Sequence, residues 1–196
     1  MERSTTARRA PLVRRWVHRS LVAESIVLVH LFAGLQRWVP VTRWSRVLGR
    51  PAGVPEQWRG EQVSGLPVGP ATPAERSAAF AVAAALRRLP WSPSCLAQAA
   101  TAQVLLRQQG ESGVVVIGLQ RTEAGATWSS HAWLLGRAGA LTGGRAAAGF
   151  TPATVFEIPG RLRAGEVDLR RETDEASAAD AVEGSLQPSP GQRSPD

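Results

Sequence analysis

Apolar positions follow a helical period up to about residue 110 and a strand period beyond it. From Pro11 to Val39 the large apolar residues Leu21, Ile26, Val27, Leu28, Leu31, Phe32 and Leu35 crowd together at helical spacing, after a first ten residues that read as frayed. Val41–Leu48 reads as a second, short helix ended by Gly49. Prolines 51, 55, 67, 70 and 73 and glycines 53, 60, 65 and 69 then break the pattern. Thr72 or Pro73 opens another helix, with an alanine-rich face, that runs through Leu86 and Leu89 until Pro90 stops it. Ser92 suits the N-cap of the next helix and Pro93 its first position, where a missing N–H costs nothing. Leu96, Ala99, Ala100, Val104 and Leu105 make its apolar stripe, and Gly110 can take the left-handed conformation after its end. Val114–Leu119 is continuous and β-branched, as a buried strand is. A turn over Arg121–Thr127 separates it from a second strand, Trp128–Leu135. Gly139–Thr142 begins a third after the turn at Gly136, and Thr154–Ile158 is a last one.

This succession predicts an α+β fold of helices followed by an antiparallel sheet. Four segments follow: a hydrophobic, basic helical segment over 1–50, a Pro/Gly-rich connector over 51–73, a core over 74–163, and a tail over 164–196. The tail is rich in Ala, Ser, Glu, Asp and Pro and has the composition of disorder.

Composition adds direction. An apolar fraction of 43% is enough for a real core. The net charge is +7, and every one of the 23 basic residues is arginine. Residues 1–60 carry eleven arginines against Glu2, Glu24 and Glu56, a balance of +8, while residues 161–196 carry −3. A basic front half can meet an acidic peptide or anionic lipid, or be a solvated face. No nucleic-acid-binding signature is visible, so nucleic acid is not an expected partner. The run Leu21–Leu35 is shorter than the roughly 20 residues that a spanning helix needs, and Glu24 and His30 interrupt it. No A-x-A-like cleavage site marks a signal peptide. The expectation is a cytoplasmic protein whose N-terminal helix is buried or lies against a partner or a membrane face, with Trp16, Trp38 and Trp44 flanking it.

The candidate chemistry rests on one cysteine. A single cysteine excludes an intramolecular disulfide, and with three histidines it makes a zinc site improbable. No metal and no cofactor is expected. The predicted helix puts Cys95 at its third position, where free amides and the positive dipole end favour a thiolate. Position alone leaves a small apolar core residue as an equal alternative. On the second strand Ser129, His131 and Trp133 share a face, so a helix packed on that side could present Cys95 to His131. His18 and His30 fall in the N-terminal helix and receive no role. First-turn cysteine, strand pair, then histidine is the layout of papain-like and transglutaminase-like enzymes, whose nucleophile and base meet in space.

With these residues in hand, the run L-P-W-x-x-x-C-L-x-x-A, a helix ending L-L-R-x-x-G, then V-x-I-G and H-A-W resembles the stand-alone leader peptidases of lasso-peptide biosynthesis, over roughly residues 75–150. The resemblance implies a transglutaminase-like cysteine peptidase core, with the cysteine helix packed on the sheet that bears the histidine. The implied substrate is a ribosomally made precursor, cut between leader and core. Cys95 carries over as nucleophile and His131 as general base, with Trp91 and Trp133 as cleft walls or ordinary core residues. The implied partners are the precursor leader peptide, a separate leader-recognition protein and an ATP-dependent macrolactam cyclase. This chain lacks a P-loop glycine motif of its own, so ATP is not assigned to it. The family often has an aspartate about a dozen residues after the histidine; here the region reads ALTGGR. Thr142, a backbone carbonyl, or a distant acid such as Glu157 would then orient His131. The missing acid keeps two other readings open: a non-catalytic partner of precursor or cyclase, and an acyl transferase on the same scaffold.

Overall fold

The computed structural model describes residues 9–58, 69–122 and 127–158. The expected tail over 164–196 and the middle of the expected connector lie outside them. Helix α1 (Arg9–Trp38) is followed by the short α2 (Val41–Trp44) and a 3-10 turn at Ser45–Val47, then by strand β1 (Arg50–Ala52). A second 3-10 turn at Glu56–Trp58 precedes helices α3 (Pro73–Leu86) and α4 (Cys95–Gln108). Then come β2 (Val114–Arg121), β3 (Trp128–Gly136), β4 (Gly139–Thr142), the one-turn α5 (Gly144–Ala147) and β5 (Thr151–Glu157). The sheet is antiparallel at every pairing and runs β1-β5-β2-β3-β4.

Local chemistry explains most boundaries. Thr72 caps α3 through a capping box: its hydroxyl accepts from the Glu75 amide, and the Glu75 carboxylate accepts from the Thr72 amide. The other carboxylate oxygen of Glu75 accepts from the Arg137 amide at 2.6 Å, which pins the β3–β4 turn to the start of α3. Helix α4 ends as predicted: Gly110 has φ of +77°, its amide donates to Arg107, and that of Glu111 donates to Leu106. Its start differs from expectation. Ser94, not Ser92, is the N-cap, accepting from the Ala97 amide at 3.1 Å, so Cys95 is the first helical residue rather than the third. A proline one residue before a cap is compatible with that arrangement, so Pro93 gave no unique register.

Two layers cover the sheet. On one face α1, α3 and α4 pack with Val115, Leu134 and Phe156 around Val82, Leu105 and Leu106. Gln103 is buried on α4 with all its bonding capacity toward the backbone spent: it donates to the Leu48 and Gly113 carbonyls and accepts from the Gly113 amide. The other face holds a smaller cluster of Trp58, Val114, Val116, Trp133, Leu135, Ala147 and Val155. The segment read as a connector therefore supplies both a strand and a core tryptophan. The N-terminal helix shares the main core through Val22 and Phe32.

Candidate active site

Strand β4 pairs with β3 only at Leu134, Leu135 and Gly136. Ahead of Leu134, that edge of β3 pairs with no strand among the described residues. Backbone groups of alternate residues point the same way, so the Ala132 amide is directed out of the same edge as that of Leu134. It donates to Cys95 Sγ at 3.3 Å. The half-buried cysteine thus sits at the tip of α4, against the lip of the sheet, bonded to the residue that follows His131. At the first two helical positions, the amides of Cys95 and Leu96 have no intrahelical acceptor.

His131 reaches this edge from the face opposite the helices. Its ring stacks on Trp133 (centroids 5.9 Å apart, 19° between planes) and packs against Phe150 at 5.3 Å. Trp133 and Leu135 belong to the second cluster, whereas Leu134 packs under the helices. The expectation that α4 covers the His131 face is therefore corrected. Cys95 Sγ reaches the edge of β3 from the helix side, at the amide of Ala132, while the His131 ring lies on the other face of the sheet. Trp133 is fully buried beneath the imidazole, and Trp91 packs edge-on to His30 at 5.3 Å. The His30 ring also bonds to the Ile26 carbonyl.

The group that orients His131 is a backbone carbonyl. Nε2 lies 2.9 Å from the oxygen of Gly143. A carbonyl only accepts, so in the neutral ring the proton sits on Nε2 and the lone pair is left on Nδ1. Gly143 holds φ of +74°, and a Cβ there would lie 2.9 Å from the Ala132 oxygen and 3.1 Å from Nε2. Thr142 ends β4 one residue away, but its buried hydroxyl has no hydrogen-bond partner among the described residues. Glu157 pairs in register with Arg50 on β1. It lies two strands from β3 and five residues along β5 from Pro152, whose partner Gly118 is opposite His131. Five strand residues span about 16 Å, so Glu157 is not the orienting acid.

Two positions received no role from the sequence. Gly118 is one: a Cβ there would lie 2.7 Å from the Trp133 ring, so the glycine makes room for the tryptophan under His131. Gln36 on α1 is another. Its Oε1 accepts from the Ser94 hydroxyl at 2.6 Å, which ties α1 to the cap of the cysteine helix, and its buried Nε2 has no hydrogen-bond partner among the described residues. At the same end of the sheet a hollow of about 430 Å³ lies among Leu119, Arg121, Trp128 and Thr151, with the Arg121 guanidinium 5.5 Å over the Trp128 ring. Among the described residues no group of three or more His, Cys, Asp or Glu side chains gathers where a metal could be held.

A nucleophile-capable sulfur at a helix tip, lodged beside a histidine whose tautomer is set, is the equipment of cysteine-dependent acyl chemistry. No curated protein and no solved structure matches the chain. A family model described as the transglutaminase-like superfamily matches residues 33–155, from the second half of α1 through most of β5. The match spans more than half of the sequence and takes in Cys95, His131 and Gly143, and the mixed helix and antiparallel-sheet architecture agrees with it: the chain belongs to the transglutaminase-like superfamily.

Proposed function

We propose that this protein is a cysteine peptidase that removes the leader from a ribosomally made lasso precursor. The observation that carries the reading is the placement of Cys95 Sγ on the Ala132 amide, next to a histidine whose Nε2 is committed to Gly143. The Pro-Trp-x-x-x-Cys-Leu and His-Ala-Trp runs support the lasso specificity. Superfamily membership supports cysteine-dependent chemistry.

In the proposed reaction Nδ1 of His131 takes the thiol proton and the thiolate attacks the carbonyl carbon at the leader–core junction. The tetrahedral oxyanion is held by the Cys95 amide, with that of Leu96 as its neighbour, because both point from the helix start without acceptors. Collapse breaks the C–N bond, and the Nδ1 proton passes to the leaving amine, which becomes the N-terminus of the core peptide. The leader remains as a thioester on Sγ. Water, deprotonated by Nδ1, attacks it, releases the leader as a carboxylic acid and restores the thiol. A cytoplasmic setting, delivery of the leader by a separate recognition protein, and hand-over of the freed amine to a macrolactam cyclase complete the proposal.

Incubating the protein with a candidate precursor and its leader-binding protein, then reading masses, tests it. Wild type should yield leader and core fragments, and Cys95→Ala should yield none while still binding the precursor. Cleavage by Cys95→Ala would overturn the assignment. One observation favours a second reading: His131 is supported by a carbonyl rather than a carboxylate, as in a fold kept for binding. An intact precursor with wild type, together with complex formation, would support that reading. Transfer of the leader to an added amine would support an acyl transferase.

A further inference from the structure

We propose that α1 docks this protein on an anionic membrane surface. Among the described side chains of the helix, from Arg19 on, one side enters the core: Val22, Ser25, Val29 and Phe32 are buried against the rest of the fold. On the opposite side Val27 is 66% exposed, Leu31 51% and Trp38 81%. Gly34, also exposed, stands between them. These residues follow one another at spacings of four, three and four, which places them on one stripe of the helix. A second exposed row runs alongside: Arg19, His30 and Arg37, at spacings of eleven and seven. The single acid between Arg19 and Trp38, Glu24, is turned toward Gln108 of α4 and takes a hydrogen bond from it. The solvent-facing side of this stretch is thus apolar along one line, with the cations Arg19 and Arg37 beside it and the half-buried Glu24 as its single acid. Arg43 and Arg46 are exposed just beyond the helix, and residues 1–60 carry a balance of +8.

The charge selects the occupant. An apolar stripe flanked by cations of one sign matches a surface that is apolar beneath and negative above, which is what anionic lipid headgroups over acyl chains provide. Three exposed apolar side chains on one convex helix are few for a protein partner, whose stable interface buries about 800 Å² on each side. They are enough for an interfacial helix that also gains from electrostatic attraction. The stretch Arg19–Trp38 has the length and composition to cross a membrane, with 22% of it buried. The core packing of its other face fits a helix lying in the interface rather than spanning. The proposal stands apart from the chemistry assigned to Cys95.

Full-length protein is sedimented with sucrose-loaded vesicles, either of phosphatidylcholine alone or of phosphatidylcholine with about a third phosphatidylglycerol. Binding should occur with the anionic vesicles, weaken as salt is raised, and be lost with phosphatidylcholine alone. The double substitution Val27→Glu with Leu31→Glu alters exposed positions only. It should reduce the partition coefficient by about tenfold or more while circular dichroism and the melting midpoint stay at wild-type values. Arg145→Glu, an exposed change of the same sign at α5, should bind as wild type. Equal binding to both vesicle types, no binding to either, or retention by the double variant would overturn the proposal. So would light scattering that shows a dimer which the double variant abolishes, since the stripe would then face a second copy.

Discussion

Replacing Gly143 by alanine tests the oxygen that orients His131. The residue sits at φ of +74° and ψ of −2°, where an L side chain costs roughly 1–2 kcal/mol. The added Cβ would also lie 2.9 Å from the Ala132 oxygen, 3.0 Å from the Trp133 Cβ and 3.1 Å from His131 Nε2. All three neighbours belong to strand β3, and Trp133 is fully buried, so relief has to come from the 143 loop, the loop that carries the Nε2 acceptor. The expected destabilisation is about 2–3 kcal/mol, or a melting midpoint lower by several degrees up to about 10 °C for a chain of this size. Displacing the carbonyl by even about 1 Å frees the imidazole to turn, and misplacement on that scale costs on the order of a hundredfold in rate. Gly149→Ala is the matched control. Gly149 also has a positive φ, of +98°, but its new Cβ would meet only the end of the Gln120 side chain at 2.9 Å, which can swing away. Melting curves and precursor cleavage are measured for both. Gly149→Ala should lose stability and keep most of its activity, whereas Gly143→Ala should lose both. Equal activities in the two variants, or wild-type melting and cleavage in Gly143→Ala, would refute the claim that this carbonyl positions the base.

Gln103→Leu leaves the Leu48 and Gly113 carbonyls and the Gly113 amide without their buried partner. A loss of about 2–4 kcal/mol is expected in chemical denaturation; a change under 0.5 kcal/mol would show that these bonds are replaceable. Gly34→Ala fills open space, since nothing lies within 4 Å of its ideal Cβ in the interior of α1. It should stabilise the protein by about 0.5–1 kcal/mol, read as a higher melting midpoint, and a lower one would contradict the open geometry at that position.

How much of this was legible beforehand varied with the physics involved. Helices α1, α3 and α4 and strands β2 to β5 were readable because their apolar periods are long and their stops are Gly or Pro, as at Gly110 and Pro90. Strand β1 was not: its three residues include Pro51, and it exists only because β5 offers an edge. Trp58 looked like part of a linker and is fully buried, since nothing local to Pro55–Trp58 announces the second face of the sheet. Cys95 and His131 could be paired by motif and spacing. The side of the sheet on which each lies could not, because alternation says which residues share a face without saying which face the helices cover. A backbone carbonyl was one of three alternatives for orienting His131, beside Thr142 and Glu157, and which carbonyl it is could not be read. A side-chain type can be read from a sequence, whereas a backbone oxygen aimed by a positive φ belongs to no residue type in particular. The paired glycines of ALTGGR were its trace.

The carbonyl has a consequence for what the pair is able to do. A carboxylate at that place would both fix the histidine tautomer and offset the positive charge that forms on the ring. The Gly143 oxygen fixes the tautomer equally well but contributes only a dipole. A serine nucleophile would need the missing charge, since its proton leaves only as the alkoxide forms and the imidazolium must be stabilised at that moment. Thiol chemistry is less demanding, because the thiolate itself is the counter-charge and already has support from the Ala132 amide and the open helix tip. What the edge of β3 withholds from the histidine it supplies to the sulfur. The stacking of His131 between Trp133 and Phe150 then confines the ring mechanically, so that a single hydrogen bond is enough to hold its orientation.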